Sequence, residues 1–157
     1  FVYAEVDINQ LISELQQLFQ MRIAGIGENV KILTETPLPS CLIQTDHNRI
    51  SQVLANFMTN AIKFTKEGSI RIGYEARENE LYFHVTDTGI GISAEKLPNV
   101  FERFVKLNKD KKGTGLGLSI AKTIISKLNG SIGVDSVEGE GSTFWFTIPY
   151  SSCGKPQ

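Results

Sequence analysis

The chain has 157 residues, 41% of them hydrophobic, which suits one domain with a substantial core; we place this domain at residues 1–150. Its 16 basic and 17 acidic residues give a net charge of -1, which offers no positive field for a nucleic-acid backbone and argues against nucleic-acid binding. Cys41 and Cys153 form no CxxC pair and predict neither a disulfide framework nor a zinc site, as in a reducing cytosol, and no apolar run is long enough to span a membrane.

The first half of the chain predicts two helices separated by two short strands. Asp7 with Gln10 three residues later is typical of a capping box. Apolar residues then recur at helical spacing to about Met21: Ile8, Leu11, Ile12, Leu15, Leu18 and Phe19. Strands are predicted at 30–33 and 42–45. Asp46 caps a longer helix with an apolar stripe formed by Ile50, Val53, Leu54, Phe57, Ala61 and Ile62.

The second half predicts two hairpins around a glycine-rich segment and a third helix. Residues 68–77 and 80–86 alternate as an antiparallel hairpin, whereas 87–117 lack periodicity and are long enough for a functional lid. A helix at 116–128 has an apolar stripe formed by Leu116, Ile120, Ile124 and Leu128, and Asn129-Gly130 closes it. Strands at 131–137 and 142–148 complete a mixed sheet that helices cover on one face.

Three polar residues lie on one face of the predicted second helix. Asn56 and Asn60 are four residues apart in an otherwise apolar segment, and Lys63 continues the same face. Amide oxygens and an ammonium group can hold a hard cation and the phosphates that it bridges, because Mg²⁺ binds oxygen ligands. From these residues alone, a solvated helix face is the alternative.

A carboxylate stands at the end of a predicted buried strand. Asp87 is followed by Gly89 and Gly91. The carboxylate can accept a hydrogen bond from the exocyclic amine of adenine, and the glycines let a flat base approach the main chain. An ordinary Asp-x-Gly turn is the alternative.

A glycine-rich run at 113–119 opens the predicted third helix. Backbone N–H groups and the positive end of the helix would converge there on an anion such as phosphate. The run has GxGxG spacing and lacks the lysine of a P-loop, which excludes the dinucleotide-binding and Walker motifs. A flexible turn is the alternative for this run alone.

These three segments occur in one order with two further motifs, Phe101-Glu102-Arg103-Phe104 and Gly139-x-Gly141-Ser142. Together they resemble the N, G1, F, G2 and G3 boxes of sensor histidine kinases, and the resemblance spans nearly the whole chain. It implies the Bergerat fold, an α/β (α+β) two-layer sandwich. In this fold a mixed, mostly antiparallel sheet of about five strands packs against three helices.

The resemblance implies ATP and Mg²⁺ as cofactors and assigns the residues that handle the metal and the phosphates. Asn60 would be the principal Mg²⁺ ligand, with Asn56 assisting. Lys63 would reach a phosphate. Arg103 and Lys106 stand where lid cations of the family approach the γ-phosphate, although the family often has arginine in place of Lys106.

The resemblance also assigns the residues that hold the base. Phe64 would contact the adenine ring and Asp87 would read its amino group, with Ser142 helping through a water molecule. The other positions that match nucleotide-binding residues are Gly89, Gly91, Ile92, Thr114, Gly115, Leu116, Gly117 and Leu118.

Asn56 also bears on the reaction. Hydrolytic members of the superfamily resemble one another in having a water-activating glutamate at this position. An amide is not a general base, so the resemblance favours transfer of the γ-phosphoryl group to a partner side chain over hydrolysis. The acceptor histidine of the family lies in a separate helical hairpin, and we expect His47 and His84 to be structural or solvated.

The resemblance therefore implies the catalytic domain of a two-component histidine kinase. Its partners would be the dimerisation and phosphoacceptor domain of the same parent and, indirectly, a response-regulator receiver domain. We expect a cytoplasmic piece, with a linker at 151–157, of a homodimeric parent in the bacterial inner membrane. The piece itself would not contact the membrane. The alternatives are an anti-sigma-type serine kinase, a related ATPase, and a non-catalytic nucleotide-binding module.

Overall fold

A computed structural model describes residues 1–24, 29–102 and 117–150. Within these ranges the chain forms seven strands, three α-helices and one 3-10 turn. In chain order they are β1 (Ala4–Asp7), α1 (Ile8–Ile23), β2 (Val30–Glu35), β3 (Leu42–Thr45), α2 (His47–Phe64), β4 (Gly68–Ala76), β5 (Glu80–Asp87), the 3-10 turn (Leu97–Asn99), α3 (Gly117–Lys127), β6 (Ser131–Val137) and β7 (Gly141–Pro149).

The main sheet has five strands in the order β2-β4-β5-β7-β6. The β2–β4 pair is parallel and the other pairs are antiparallel, which confirms the predicted mixed, mostly antiparallel sheet. The strand predicted at 42–45 is confirmed, but it pairs with β1 in a separate two-stranded sheet. Strand β1 was not predicted from the sequence; its four residues include one buried side chain, Val6.

The three helices pack on one face of the main sheet, and the core lies between the two layers. On β5 the buried Leu81, Phe83 and Val85 alternate with Tyr82 and His84, which point to the opposite face. Phe57 of α2 is fully buried, and its ring centroid lies 5.3 Å from that of Phe144 and 6.1 Å from that of Phe146. The predicted two-layer sandwich is confirmed.

The starts of α1 and α2 follow the predicted caps. The Asp7 carboxylate accepts a 3.1 Å hydrogen bond from the Gln10 N–H, and Asp46 accepts a 3.0 Å bond from the Arg49 N–H. The reciprocal half of the α1 capping box is replaced, because the Gln10 side chain donates to Glu14 one turn further on.

The predicted apolar stripes are correct in α2 and partly wrong in α1 and α3. Leu18 on α1 is 45% exposed, and Ile120 on α3 is 41% exposed. Helix α3 instead buries Leu118, Ala121, Ile124 and Ile125. The helix is therefore rotated relative to the predicted stripe, because the sheet beneath it determines which side is covered.

Four further sequence-based expectations concern the cysteines, the C-terminal linker, the lid and membrane crossing. Cys41 is buried and disulfide-bonded, so the expectation of no disulfide is wrong for this residue; the other cysteine of the sequence, Cys153, lies outside the described ranges. The proposed linker at 151–157 and residues 103–116 of the proposed lid also lie outside them. Across the described ranges, no helix has both the length and the apolar character that a membrane crossing requires.

Candidate functional site

The predicted site residues converge at one end of the main sheet. Strand β5 ends there at Asp87, β7 begins there at Gly141, and the register of the two strands places Asp87 opposite Ser142. Helix α2 ends at Phe64, whose carbonyl oxygen accepts a 3.0 Å hydrogen bond from the Ile90 N–H. The end of α2 and the loop after β5 are therefore joined directly.

The polar face of α2 faces this region. Asn56, Asn60, Lys63 and Phe64 are all half-buried, which argues against a fully solvated helix face. The side-chain nitrogen of Asn56 donates a 3.0 Å hydrogen bond to the carbonyl oxygen of Gly117, the first residue of α3. This bond uses the amide nitrogen and leaves the amide oxygen of Asn56 as an acceptor.

Asp87 is a buried carboxylate with 5% exposure, and it accepts hydrogen bonds from the backbone N–H groups of Gly89 and Ser142. Burial raises its pKa above the ordinary value, whereas hydrogen bonds from the N–H groups of Gly89 and Ser142 oppose that rise. The Gly89 bond is 2.8 Å long. A carboxylate that retains acceptor capacity in a buried position is suited to bind a donor on a ligand.

Thr65 lies in the candidate site, although its sequence context predicted no role for it. Its side chain is 4% exposed, and its hydroxyl lies beside the Asp87 carboxyl without completing a hydrogen bond. A Cβ added at Gly89 would lie 2.7 Å from the Thr65 hydroxyl and 2.1 Å from the Phe64 carbonyl oxygen. A polar residue directly after the Asn56–Phe64 segment was the signal that could have identified it.

The loop that follows β5 and contains Gly89 and Gly91, here called the glycine loop, lies between α2 and the β6–β7 hairpin. The Gly139 N–H donates a 2.7 Å hydrogen bond to the Ile90 carbonyl oxygen, and the Ile92 N–H donates a 2.8 Å bond to the Ser136 hydroxyl. Gly91 has φ 72°, and a Cβ there would lie 2.3 Å from the Val137 carbonyl oxygen. Only glycine meets both requirements.

The remaining predicted positions divide into three groups. Ile92 and Leu118 are buried apolar side chains, and Gly117 contacts Asn56. Phe101 packs edge-on against Phe144, with 6.3 Å between ring centroids. The positions outside the described residues are Arg103, Phe104, Lys106, Thr114, Gly115 and Leu116.

A cavity of about 740 Å³ lies beside the glycine loop, and Phe64, Gly89, Ile90 and Gly91 are among its lining residues. Lys66 and Lys96 also line it. Asp87, Asn56 and Asn60 are not among the described residues that line this cavity. It therefore adjoins the predicted site without containing the carboxylate or the amides.

Comparison with known proteins identifies the family. Residues 45–152 match the model of the histidine kinase-, DNA gyrase B- and HSP90-like ATPase family. The chain belongs to this family. The matched range includes α2, the glycine loop and both hairpins, so every predicted site residue falls within it.

Among curated relatives, the chain is 38% identical over 130 residues to the sensor histidine kinase WalK of Bacillus subtilis. The match covers 78% of this chain and 21% of WalK. The chain thus spans about a fifth of that relative. The part of the chain that matches is therefore similar in sequence to one segment of a sensor histidine kinase.

Solved structures give the same result. The catalytic domain of histidine kinase ThkA superposes with TM-score 0.83 at 33% identity, over 95% of this chain and 96% of that one. Full-length ShkA in complex with AMPPNP superposes with TM-score 0.88 at 31% identity, over 99% of this chain and 32% of ShkA. ThkA in complex with the response regulator TrrA also matches, with TM-score 0.78 at 32% identity, over 94% of this chain and 41% of that one. The predicted fold and the resemblance to sensor histidine kinases are confirmed.

Proposed function

We propose that residues 1–150 bind Mg·ATP and donate its γ-phosphoryl group to a histidine on a separate helical domain of the same parent protein. The observation that carries this proposal is the buried Asp87 carboxylate, which lies at the sheet end where α2 also ends. The family match and the AMPPNP bound in the ShkA structure support a nucleotide as the ligand.

Asp87 recognises the adenine base in this proposal. The carboxylate accepts a hydrogen bond from the exocyclic amine, while Gly89 lets the loop lie against the end of α2 and donates its N–H to the carboxylate. Phe64, half-buried at the end of α2, contacts one face of the ring. Ile92 contributes an apolar wall, and the buried Thr65 hydroxyl supplies a further polar group beside the carboxylate.

The amides of α2 fit a magnesium ion that is bridged to phosphates. Asn56 keeps an oxygen available because its nitrogen is hydrogen-bonded to the Gly117 carbonyl, and Asn60 stands one helical turn further on. Mg²⁺ binds few protein oxygens and keeps waters and phosphate oxygens as its other ligands, which agrees with two neutral amides. When bound, the ion would neutralise charge on the phosphates.

Lys63 and the start of α3 complete the proposed phosphate site. Lys63 lies near the end of α2 and binds a phosphate oxygen, and the backbone of Gly117 and Leu118 presents the positive end of α3. We also propose phosphate contacts for Arg103, Lys106, Thr114, Gly115 and Leu116, which lie outside the described residues.

The side chain at position 56 supports phosphoryl transfer over hydrolysis. Asn56 occupies the position of the catalytic glutamate of hydrolytic relatives, and its amide cannot take a proton from water. In the proposed transfer, an imidazole nitrogen forms a bond to the γ-phosphorus, the bond from that phosphorus to the bridging oxygen breaks, and ADP leaves. The imidazole gives up its proton outside this chain.

The relatives support a proposal for the rest of the parent protein. Because the chain corresponds to a fifth of WalK, the histidine hairpin would lie elsewhere in the parent. The ThkA–TrrA complex supports a response-regulator receiver domain as the downstream partner. From the family resemblance we also propose a homodimeric parent in the bacterial inner membrane, with this domain in the cytoplasm.

Calorimetry of the chain with ATP tests the binding site. We expect Asp87→Asn to weaken ATP binding by roughly 10- to 100-fold, the effect of losing a hydrogen bond to a charged acceptor. Asn60→Ala should make the affinity insensitive to Mg²⁺. Asp135→Asn on the exposed face of β6 and Asn48→Ala at the exposed start of α2 are matched controls and should bind as the wild type does. Unchanged binding in Asp87→Asn and Asn60→Ala would reject the site.

Phosphate transfer from [γ-³²P]ATP tests the reaction. The chain alone should remain unlabelled and should label a histidine hairpin from its own parent. The label should be acid-labile and alkali-stable, as a phosphorus–nitrogen bond is. An acid-stable label on serine would favour the serine-kinase alternative, and label on His47 or His84 would contradict the proposed division between the domains.

A further inference from the structure

Three polar side chains form a row across neighbouring strands at the proposed base site. Register places Asp87 of β5 opposite Ser142 of β7, and Ser142 opposite Ser136 of β6. Side chains that are directly opposite in an antiparallel pair lie on the same face. Asp87 shares the face of Val85, and Ser142 that of Phe144, so the row points toward the helices and the proposed nucleotide.

Ser136 makes contacts that use its whole hydrogen-bonding capacity. Its hydroxyl oxygen accepts a 2.8 Å hydrogen bond from the Ile92 N–H, and its proton is donated over 2.9 Å to the Gly141 carbonyl oxygen. The Ser142 hydroxyl oxygen lies 2.8 Å away. A hydroxyl has one proton and two acceptor lone pairs. Ser136 already donates its only proton to the Gly141 carbonyl oxygen. In the hydrogen bond between the two serines, Ser142 must therefore be the donor and Ser136 the acceptor.

The direction of this bond determines what Ser142 can offer a ligand. Because its proton is directed to Ser136, Ser142 presents only lone pairs on its other side. Asp87, when ionised, is also an acceptor. The row therefore presents acceptors from two adjacent strands, and a base edge that carries an amino group matches it better than an edge that carries a carbonyl.

A bridging water leads to the same preference. A water that donates one proton to Ser142 has one proton left for the base. Ring nitrogen N1 accepts that proton in adenine, whereas in hypoxanthine N1 carries a proton of its own and position 6 carries an oxygen. The row thus favours the 6-amino base whether Ser142 contacts it directly or through water.

We propose that Ser136 is a positioning residue that makes the site selective for adenine over 6-oxopurines by fixing the proton direction of Ser142. Ser136 itself does not touch the nucleotide. The proposal rests on the proposed function, because it requires the base to lie at Asp87. A purely structural role for Ser136 would instead be to hold Ile92, a task that the bond between Gly139 and Ile90 shares.

Affinities of the whole chain for ATP and inosine triphosphate (ITP), measured by calorimetry, test the proposal. We expect the wild type to prefer ATP and Ser136→Ala to reduce the ATP-to-ITP affinity ratio by roughly tenfold, the effect of one mismatched buried hydrogen bond. The Ser142 hydroxyl is then free to rotate and donate to the 6-oxygen. Ser136→Cys, similar in size but a weak hydrogen-bonding group, should show the same loss if the alanine variant folds poorly.

Two further variants separate selectivity from structure. Ser136→Thr restores the hydroxyl and should restore the ratio. Ser131→Ala makes the same substitution at an exposed position of the same strand and should leave the ratio unchanged. Equal changes in both affinities for Ser136→Ala and Ser136→Cys, or no change, would overturn this proposal alone. A wild-type chain that binds neither nucleotide would overturn the proposed function as well.

Discussion

The side-chain nitrogen of Asn56 lies 3.0 Å from the carbonyl oxygen of Gly117, and this bond ties the middle of α2 to the first residue of α3. One amide thus joins the two helices that frame the proposed phosphate site while its oxygen stays available. Stability and binding should depend on different atoms of the same side chain.

Asn56→Asp tests this double role. The variant replaces the donor nitrogen by a carboxylate oxygen that faces the Gly117 carbonyl, and we expect it to lower the free energy of unfolding by about 1–3 kcal/mol. Urea unfolding measures the change, and amide exchange should show faster opening at the start of α3. Asn48→Asp is the matched control, because a charge in the exposed first turn of α2 interacts favourably with the helix dipole. Equal losses in both variants would contradict the prediction.

Asp87→Asn should stabilise the domain without nucleotide even though it weakens ATP binding. Burial raises the pKa of Asp87, so the folded state holds its proton to higher pH than the unfolded state does. Wild-type stability from this group therefore falls as pH rises from the unfolded pKa through the folded one, and at neutral pH the charge opposes folding. Thermal melting at neutral pH should show a higher midpoint for Asp87→Asn. A lower midpoint would mean that the hydrogen bonds from Gly89 and Ser142 outweigh burial.

His84 should make stability decrease in mild acid. Burial lowers its pKa, against the opposing charges of Glu35 and Glu75, while Arg71 lowers it further. Its Nδ1 is buried without a partner among the described residues, and its Nε2 lies 3.4 Å from Glu35. Below about pH 6.5 the unfolded state takes up a proton first, so the stability contribution of His84 declines until pH falls through the folded pKa.

Urea unfolding of wild type and His84→Gln between pH 7.5 and 5.5 measures this effect. The difference between the two proteins isolates His84 from Asp87, whose contribution has the opposite sign. Glu35→Gln should make the decline steeper, because it removes a charge that favours protonated His84. His47→Gln keeps His84 and should keep the decline. A constant difference between wild type and His84→Gln across this range would refute the prediction.

Gly89→Ala should impair both folding and nucleotide binding. The added Cβ would lie 2.1 Å from the Phe64 carbonyl oxygen, so the loop must move away from α2, at a cost of about 1–3 kcal/mol. That movement also displaces the Gly89 N–H, which donates a hydrogen bond to Asp87. Gly133→Ala is the control, because its Cβ would collide with the Trp145 ring on the face away from the helices. We expect Gly133→Ala to lower the melting temperature without weakening ATP binding; weaker binding in both variants would show a general loss of structure.

Features determined by neighbours in sequence were predictable. Asp46 caps α2 through the next residues along the chain, and the apolar spacing that follows sets the buried face of that helix. The β4–β5 hairpin likewise depends on local alternation. The ordered motifs predicted the family before any distance was known, and the family match over residues 45–152 confirmed it.

Features determined by long-range pairing were not predictable. Strand β1 is stabilised by β3, which lies almost forty residues away, so its own four residues carry little signal. Ile120 was placed on the wrong side of α3 because the sheet, not the helix, decides which side is covered. The contact of Thr65 with the loop that carries Gly89 could not be predicted, because it forms only in the folded chain.

The sequence by itself determined the class of protein and predicted the carboxylate that we propose for its binding site, since residue identity and order are read without coordinates. Only the tertiary structure decided that Ser136 belongs to the same row as Asp87 and Ser142. The physical reason is strand register: a shift of one residue would turn Ser136 to the opposite face, and the composition of β6 does not reveal that register.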